Sequence, residues 1–352
     1  MIPAMGRTDP GVRPIVCYTH WTPPEGPALL EPFCSLVRQP PDLILTSDEI
    51  AEMARDAFAL CFSIRDRVTR SLLEQCPKLR VVSSFGRGTD NVDVDAATEM
   101  GIWVATVDTA MTEPVADMTW ALLLSAARRV VPGDLSVRIG KFDGWQARPA
   151  LMGSNVYGKT LGIVGLGQVG RAVARRASGF CMQVLYWQPH RLALAEEAAA
   201  GAVWVERAEL LVRADFVCLC SPLTRETYHQ IGAAELARLK PGAILVNTAR
   251  GSEVDESAVA RALVQGHLGG YATDVYEMED ALPAGAPERT QPTAVPAALL
   301  EQVDRTVFAP HSSTAIAETR SLIARTQVQA VLDVLQGRRP SSATNNPSRP
   351  RR

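Results

Sequence analysis

The sequence predicts an α/β protein of two units, each a parallel sheet covered by helices. Three observations carry that prediction. The chain has 352 residues, more than one hydrophobic core usually organises. Short apolar runs alternate with helix-periodic stretches in two separate series, the pattern of parallel strands joined by crossover helices. At the head of the second series a glycine triplet lies between an apolar run and an Ala-rich amphipathic stretch.

In the first series "RPIVCYTH", "LRVVSSFG" and "IWVATV" read as strands, with "SDEIAEMARDA" and "DVDAATEMG" as interleaved helices. "TEPVADMTWALLLSAARRVV" follows as one long helix, Pro114 sitting in its first turn where a missing N–H costs little. It reads as a spacer between the units. The second series offers six strands: "KTLGIVG", "MQVLYWQP", "ADFVCLCSP", "AILVNTAR", "GGYATDVY" and "RTVFAPH". Six at this spacing suit a doubly wound dinucleotide-binding sheet. The Pro- and Ala-rich stretch 281–304 interrupts them as a long loop. Residues 1–12 and the tail from 339, rich in Pro, Ser, Asn and Arg, are expected to be loose chain.

Composition excludes several classes of function. With 47% apolar and 21% charged residues and a net charge of −2, nothing draws the chain to nucleic acid or an anionic membrane. The N-terminus lacks a signal-peptide core, and no run approaches the roughly 20 apolar residues of a membrane span. Seven cysteines include no CxxC pair. Cys218 and Cys220 share one face of a strand and read as reduced thiols, not as a disulfide or metal ligands. The expectation is a cytoplasmic protein without a metal, its function residing in a local site.

"GIVGLGQVGRAVA" places Gly165, Gly167 and Gly170 in the G-x-G-x-x-G order, with Gln168 and Val169 inside it. The flanking strand and helix make the motif specific: a tight turn, close approach of backbone to pyrophosphate, and close helix–strand packing at a helix N-terminus. A Rossmann-like dinucleotide site follows. The next strand ends in Gln188, followed by His190 and Arg191, where Asp or Glu would usually take the ribose. Glutamine does not repel a 2′-phosphate and Arg191 can pair with one, so the cofactor is NAD or NADP, with NADP expected to be accepted. Pro222, Thr248 and Asp274, at later strand ends, are further cofactor-binding candidates.

His311, in "APHSSTAIAETR", would alone read as a polar residue at a strand end. Arg250 after "AILVNTA" and the acids Asp274, Glu277, Glu279 and Asp280 in "ATDVYEMED" change that reading. An arginine can fix an anionic substrate, a histidine can move a proton, and a glutamate can orient the imidazole.

"NTARGSEVDESAVARAL", "GGYATDVYEMED", "FAPHSSTA", "RGTDNVDVDAATEMGIWV" and the glycine motif together resemble the D-2-hydroxyacid dehydrogenase family over nearly the whole chain. The resemblance implies a cofactor domain (112–311) inserted into a discontinuous substrate domain (1–111 plus 312–340), with 341–352 a disordered tail. It also implies a homodimer and a catalytic trio of Arg250, Glu279 and His311, Glu279 being taken over Glu277 on the family pattern.

Within the family the chain looks most similar to phosphite (phosphonate) dehydrogenases, on "FDGWQ", "THW", "YEMED" and Arg320 nine residues after His311. That likeness implies substrate contacts from Arg87, Gly88, Trp145 and Arg320, a cationic set suited to a small tetrahedral oxyanion. "SSFGRGTDN" and "TAMTEPVAD" read closer to ordinary 2-hydroxyacid dehydrogenases. The expectation is oxidation of phosphite with hydride transfer to nicotinamide. The alternatives are a 2-keto acid (glyoxylate, hydroxypyruvate) reductase, a dehydrogenase of a small organophosphonate and, of another class, a silent cofactor-binding sensor. The complete trio speaks against the last.

Overall fold

The computed structural model describes residues 13–40, 43–107, 109–145, 147, 151–280 and 292–351. The chain divides into two compact units, one of residues up to Met111 together with Thr314 onward, the other Thr112–Ser313.

The first unit holds β1 (Ile15–Tyr18), β2 (Ser35–Arg38), α1 (Ser47–Ala54), β3 (Ala59–Phe62), α2 (Arg70–Gln75), β4 (Val81–Ser84), α3 (Val94–Glu99) and β5 (Trp103–Ala105). Its sheet is parallel throughout, in the order β2-β1-β3-β4-β5. Helix starts follow from local chemistry. Thr46 accepts from Glu49 N while the Glu49 carboxylate accepts from Thr46 N, and Thr69 and Asp93 cap α2 and α3. Every residue of β3 and β4 is buried, as in a sheet covered on both faces. The sequence reading missed β2 and β3. The first is a short exposed strand, and the second is four apolar residues whose periodicity cannot tell strand from helix.

The second unit contains α4 (Thr112–Ala127), α5 (Val130–Arg138), β6 (Thr160–Val164), α6 (Gln168–Ala177), β7 (Gln183–Trp187), α7 (Leu194–Ala200), β8 (Ala202–Trp204), α8 (Arg207–Arg213), β9 (Phe216–Leu219), α9 (Ala233–Leu236), β10 (Ile244–Asn247), α10 (Glu256–Val264), β11 (Gly270–Thr273), α11 (Ala297–Leu300) and β12 (Thr306–Phe308). Seven parallel strands run in the order β12-β11-β10-β9-β6-β7-β8. The added strand is β8, only three residues long.

Three expectations are corrected. The predicted single helix 112–131 breaks at Arg129, which takes a left-handed conformation between α4 and α5. Nor is α4 a spacer: Ala116, Trp120 and Leu123 are buried in one cluster with Ile163, Cys218, Val246 and Ala272 of the second sheet. Trp120 also donates to Val173 O at 3.1 Å and stacks on Phe180. Burying that indole against the sheet contributes more than a polar spacer could, roughly 3 kcal/mol.

The third correction concerns the tail. After α12 (Ala317–Leu335) returns to the first unit, residues 341–351 lie along β5 instead of trailing as loose chain. Ala343 pairs antiparallel with Ala105, Thr344 N donates to Val104 O, and Arg351 N donates to Gly101 O at 2.8 Å. Asn345 accepts from Val104 N and donates to Ile102 O, both at 2.9 Å. Composition suggested disorder, but β5 is an edge strand whose open N–H and C=O groups this segment satisfies.

Candidate active site

β6 is buried along its last four residues and runs into Gly165 at φ +92°. A Cβ there would stand 2.9 Å from Ser221 N, so only glycine fits both the space and the left-handed backbone. At Gly170 a Cβ would come within 2.2 Å of Gly165 O. Gly167, the N-cap of α6, has open space where its side chain would be. A turn with free space above a ten-residue helix N-terminus suits a pyrophosphate, so these residues fit a nicotinamide dinucleotide. Val169 packs against the core, and Gln168 accepts from Thr112 Oγ1 at 3.1 Å.

The strand end where the sequence places the ribose is held together by its own side chains. Gln188 Oε1 accepts from Leu166 N at 2.9 Å and its Nε2 donates to His190 O at 2.7 Å, so Gln188 braces the glycine turn. Arg191 is forked on the buried carboxylate of Glu197 at 2.8 and 2.9 Å, and Tyr186 donates to the same group at 2.7 Å. The Arg191 guanidinium holds the Glu197 carboxyl below its ordinary range, with the Tyr186 hydroxyl second. In this structure Arg191 is committed to Glu197. The His190 ring is exposed at the surface.

The trio residues follow three neighbouring strands. Arg250 comes after β10, Glu279 after β11 and His311 after β12, strands adjacent in the sheet, so their carboxyl ends lie side by side. Gly251 is pressed so closely on the segment after β11 that a Cβ would come within 1.9 Å of Tyr276 C. That contact seats the Arg250 turn beside the turn bearing Glu279. Asn247 holds the first turn by donating to Arg250 O at 2.8 Å and accepting from Ala249 N at 3.0 Å. His311 Nδ1 lies 2.6 Å from Glu279 Oε2. Glu277, the acid set aside on the family pattern, meets His229 Nε2 at 2.7 Å instead.

His311 itself has φ +51°, a left-handed conformation uncommon for a residue with a side chain. Asp274 secures it. Its carboxylate accepts from Ser312 N at 2.7 Å, from Ser313 N at 2.8 Å and from Ser313 Oγ. Asp274 was expected at the cofactor; here its oxygens anchor the histidine loop. Tyr276 adds a bond to Ala309 O at 2.9 Å. The sequence reading found neither anchor, because only the fold shows which strand ends are neighbours. Thr248 shares a hydrogen bond with Thr119 Oγ1 at 2.7 Å, and Pro222 is exposed after β9, its carbonyl accepting from Thr227 Oγ1.

In the first unit Arg87 lines a cavity of about 470 Å³ with Thr106, Thr326 and Ser342. Gly88 beside it is half-buried. Arg320 lies over the Phe85 ring at 5.5 Å and donates to Thr314 O at 2.9 Å; burial lowers its pKa. Trp145, in the second unit, is 90% exposed, and 146 and 148–150 beside it lie outside the described residues. Among the described residues no acidic, Cys or His cluster is arranged for a metal, and no helix is long and apolar enough to cross a membrane.

A seven-stranded parallel sheet with this glycine turn, and a histidine–glutamate pair at neighbouring strand ends, defines a nicotinamide-dinucleotide-dependent dehydrogenase. Residues 120–313 match the family model described as D-isomer specific 2-hydroxyacid dehydrogenase, NAD binding domain. The chain is 38% identical over 334 residues to a glyoxylate reductase of Korarchaeum cryptofilum, covering 95% of this chain and 96% of that one. Two solved structures are similar throughout. One is an NADPH-dependent glyoxylate/hydroxypyruvate reductase of Sinorhizobium meliloti in complex with NADP and malonate (26% identity, TM-score 0.79, 97% and 99% of the two chains). The other is a D-lactate dehydrogenase of Aquifex aeolicus complexed with NAD and lactic acid (25% identity, TM-score 0.81, 95% and 100%). The chain belongs to the D-isomer specific 2-hydroxyacid dehydrogenase family.

Proposed function

We propose that the protein reduces a small 2-keto acid of the glyoxylate and hydroxypyruvate class to the 2-hydroxy acid. When bound, the nicotinamide supplies the hydride. Arg250 would hold the substrate carboxylate through its guanidinium fork. His311, oriented through Nδ1 by Glu279, would give the Nε2 proton to the carbonyl oxygen, and in the reverse direction would take it from the hydroxyl. The observation carrying this reading is the 2.6 Å His311–Glu279 pair beside the Arg250 turn in an NAD-binding unit.

Phosphite, which the sequence motifs put first, ranks second in this proposal. Arg320 after His311 still favours it, but the relatives named glyoxylate reductase support a carbon substrate. A homodimer is proposed as well, supported by the exposed apolar side chains of Val130, Val131, Leu135 and Val137 on α5. The test is a spectrophotometric screen with glyoxylate, hydroxypyruvate and phosphite, each with the NAD and NADP couples. Turnover of a keto acid without phosphite oxidation is expected; phosphite oxidation alone would reverse the ranking.

A further inference from the structure

Glu253 is an acid that the reaction above does not use, and it is fully buried. It closes the 3-10 turn Gly251–Glu253, and its N–H donates back to Arg250 O at 3.3 Å. Its Oε2 meets Ser221 Oγ and lies 2.5 Å from Gln230 Nε2, which also donates to Ser221 Oγ at 2.8 Å. Ser221 is the residue against which a Cβ at Gly165 would collide. One carboxyl therefore joins the turn carrying Arg250 to the strand end that backs the dinucleotide turn. Its second oxygen, Oε1, is buried without a hydrogen-bond partner.

A bare carboxylate oxygen away from water is costly, so this environment favours the neutral acid. Burial pushes the carboxyl up to about 8, opposed by Ser221, Gln230 and then Arg250. The charged and titratable groups facing it are Arg250 on its own turn, Asp280 beyond Glu279, and Cys220 at the end of β9, whose thiol burial pushes up to about 12. Farther out, Arg207 of α8 donates to Gln230 O and His229 pairs with Glu277.

We propose that Glu253 is a positioning residue that fixes the Arg250 turn to the end of β9 and, by adding no negative charge beside the guanidinium, preserves Arg250's affinity for a substrate carboxylate. The inference rests on the assignment of Arg250 to that carboxylate. Once ionised, Glu253 would compete with the substrate for the field of the arginine, so KM for the acid should rise with pH more steeply in the wild type than in its neutral mimic.

The experiment measures KM for glyoxylate with saturating reduced cofactor, on the full-length wild type, Glu253→Gln and Glu253→Val, from about pH 6.5 to about pH 9.5. In the wild type KM should climb above about pH 8, and at about pH 9 Glu253→Gln should have a KM roughly tenfold lower, the two agreeing within about twofold near neutrality. Glu253→Val, which loses the tie to Ser221, should show a raised KM at every pH, rescued by the Gln variant. Coincident profiles for wild type and Glu253→Gln, with glyoxylate still reduced, would overturn the inference alone. A wild type that reduces no keto acid would overturn the assignment of Arg250 and this inference with it.

Discussion

His311 Nδ1 stands 2.6 Å from Glu279 Oε2, an imidazole and a carboxylate delivered by the ends of two adjacent parallel strands. The contact occupies Nδ1 and leaves proton exchange to Nε2. Replacing His311 by Ala should lower kcat by about 10³-fold or more while cofactor affinity, read by quenching of protein fluorescence, stays within about twofold. Glu279→Gln should cost at least about 10²-fold in kcat, since an amide can hold the wrong tautomer. Near-wild-type turnover in either variant would remove the pair from the chemistry.

Cofactor choice should turn on Glu197, because that carboxylate engages Arg191. Glu197→Gln loosens the fork and frees a guanidinium for a 2′-phosphate. The ratio of kcat/KM for NADPH over NADH should rise by roughly tenfold. An unchanged ratio would show that Arg191 does not reach the adenosine ribose.

Stability should fall with rising pH through Glu256. This residue is fully buried, one oxygen accepts from Glu277 N at 3.0 Å, and burial raises its pKa to about 7 from 4.5. A carboxyl raised in the folded state stabilises most below its unfolded pKa, and that contribution disappears between about pH 4.5 and about pH 7. Glu256→Gln should therefore match the wild type near pH 4.5 and exceed it at pH 8, by up to about 3 kcal/mol. Calorimetric melting at the two pH values checks this; an equal difference at both would mean Glu256 is not protonated in the folded state.

Asn345 should be a stability residue despite its place in a Pro- and Ser-rich tail. Besides its bonds to Val104 N and Ile102 O it donates to Thr98 Oγ1 at 2.9 Å, and it is buried. Asn345→Ala leaves edge-strand groups of the first unit unsatisfied and should cost about 1–3 kcal/mol. A melting temperature indistinguishable from wild type would mean the tail detaches freely.

Much of the protein was legible before any coordinates. Gly165, Gly167 and Gly170 announced their turn because a phosphate-binding loop constrains residues close in sequence, and the strands β6, β7 and β9 to β12 are apolar enough to read singly. The strands β2 and β8 were not legible because they lie at sheet edges, largely exposed and without a sustained apolar run, and β3 because its four apolar residues could equally belong to a helix. Trp120 could not reveal that α4 is part of the second core, because burial by a distant sheet leaves no local signature.

The sequence by itself determined the two α/β units, the dinucleotide turn and the candidacy of Arg250, His311 and the neighbouring acids, for these follow from local pattern and residue chemistry; the choice of Glu279 among those acids came from the family resemblance. Tertiary structure alone decided that Glu279 meets His311 while Glu277 meets His229, that Asp274 anchors the histidine loop, and that Arg191 answers to Glu197. It also laid the tail against β5. For all but the Arg191–Glu197 fork, which spans six residues, the reason is the same: a hydrogen bond between residues far apart in the chain depends on which elements become neighbours, and spacing along the sequence does not encode that adjacency.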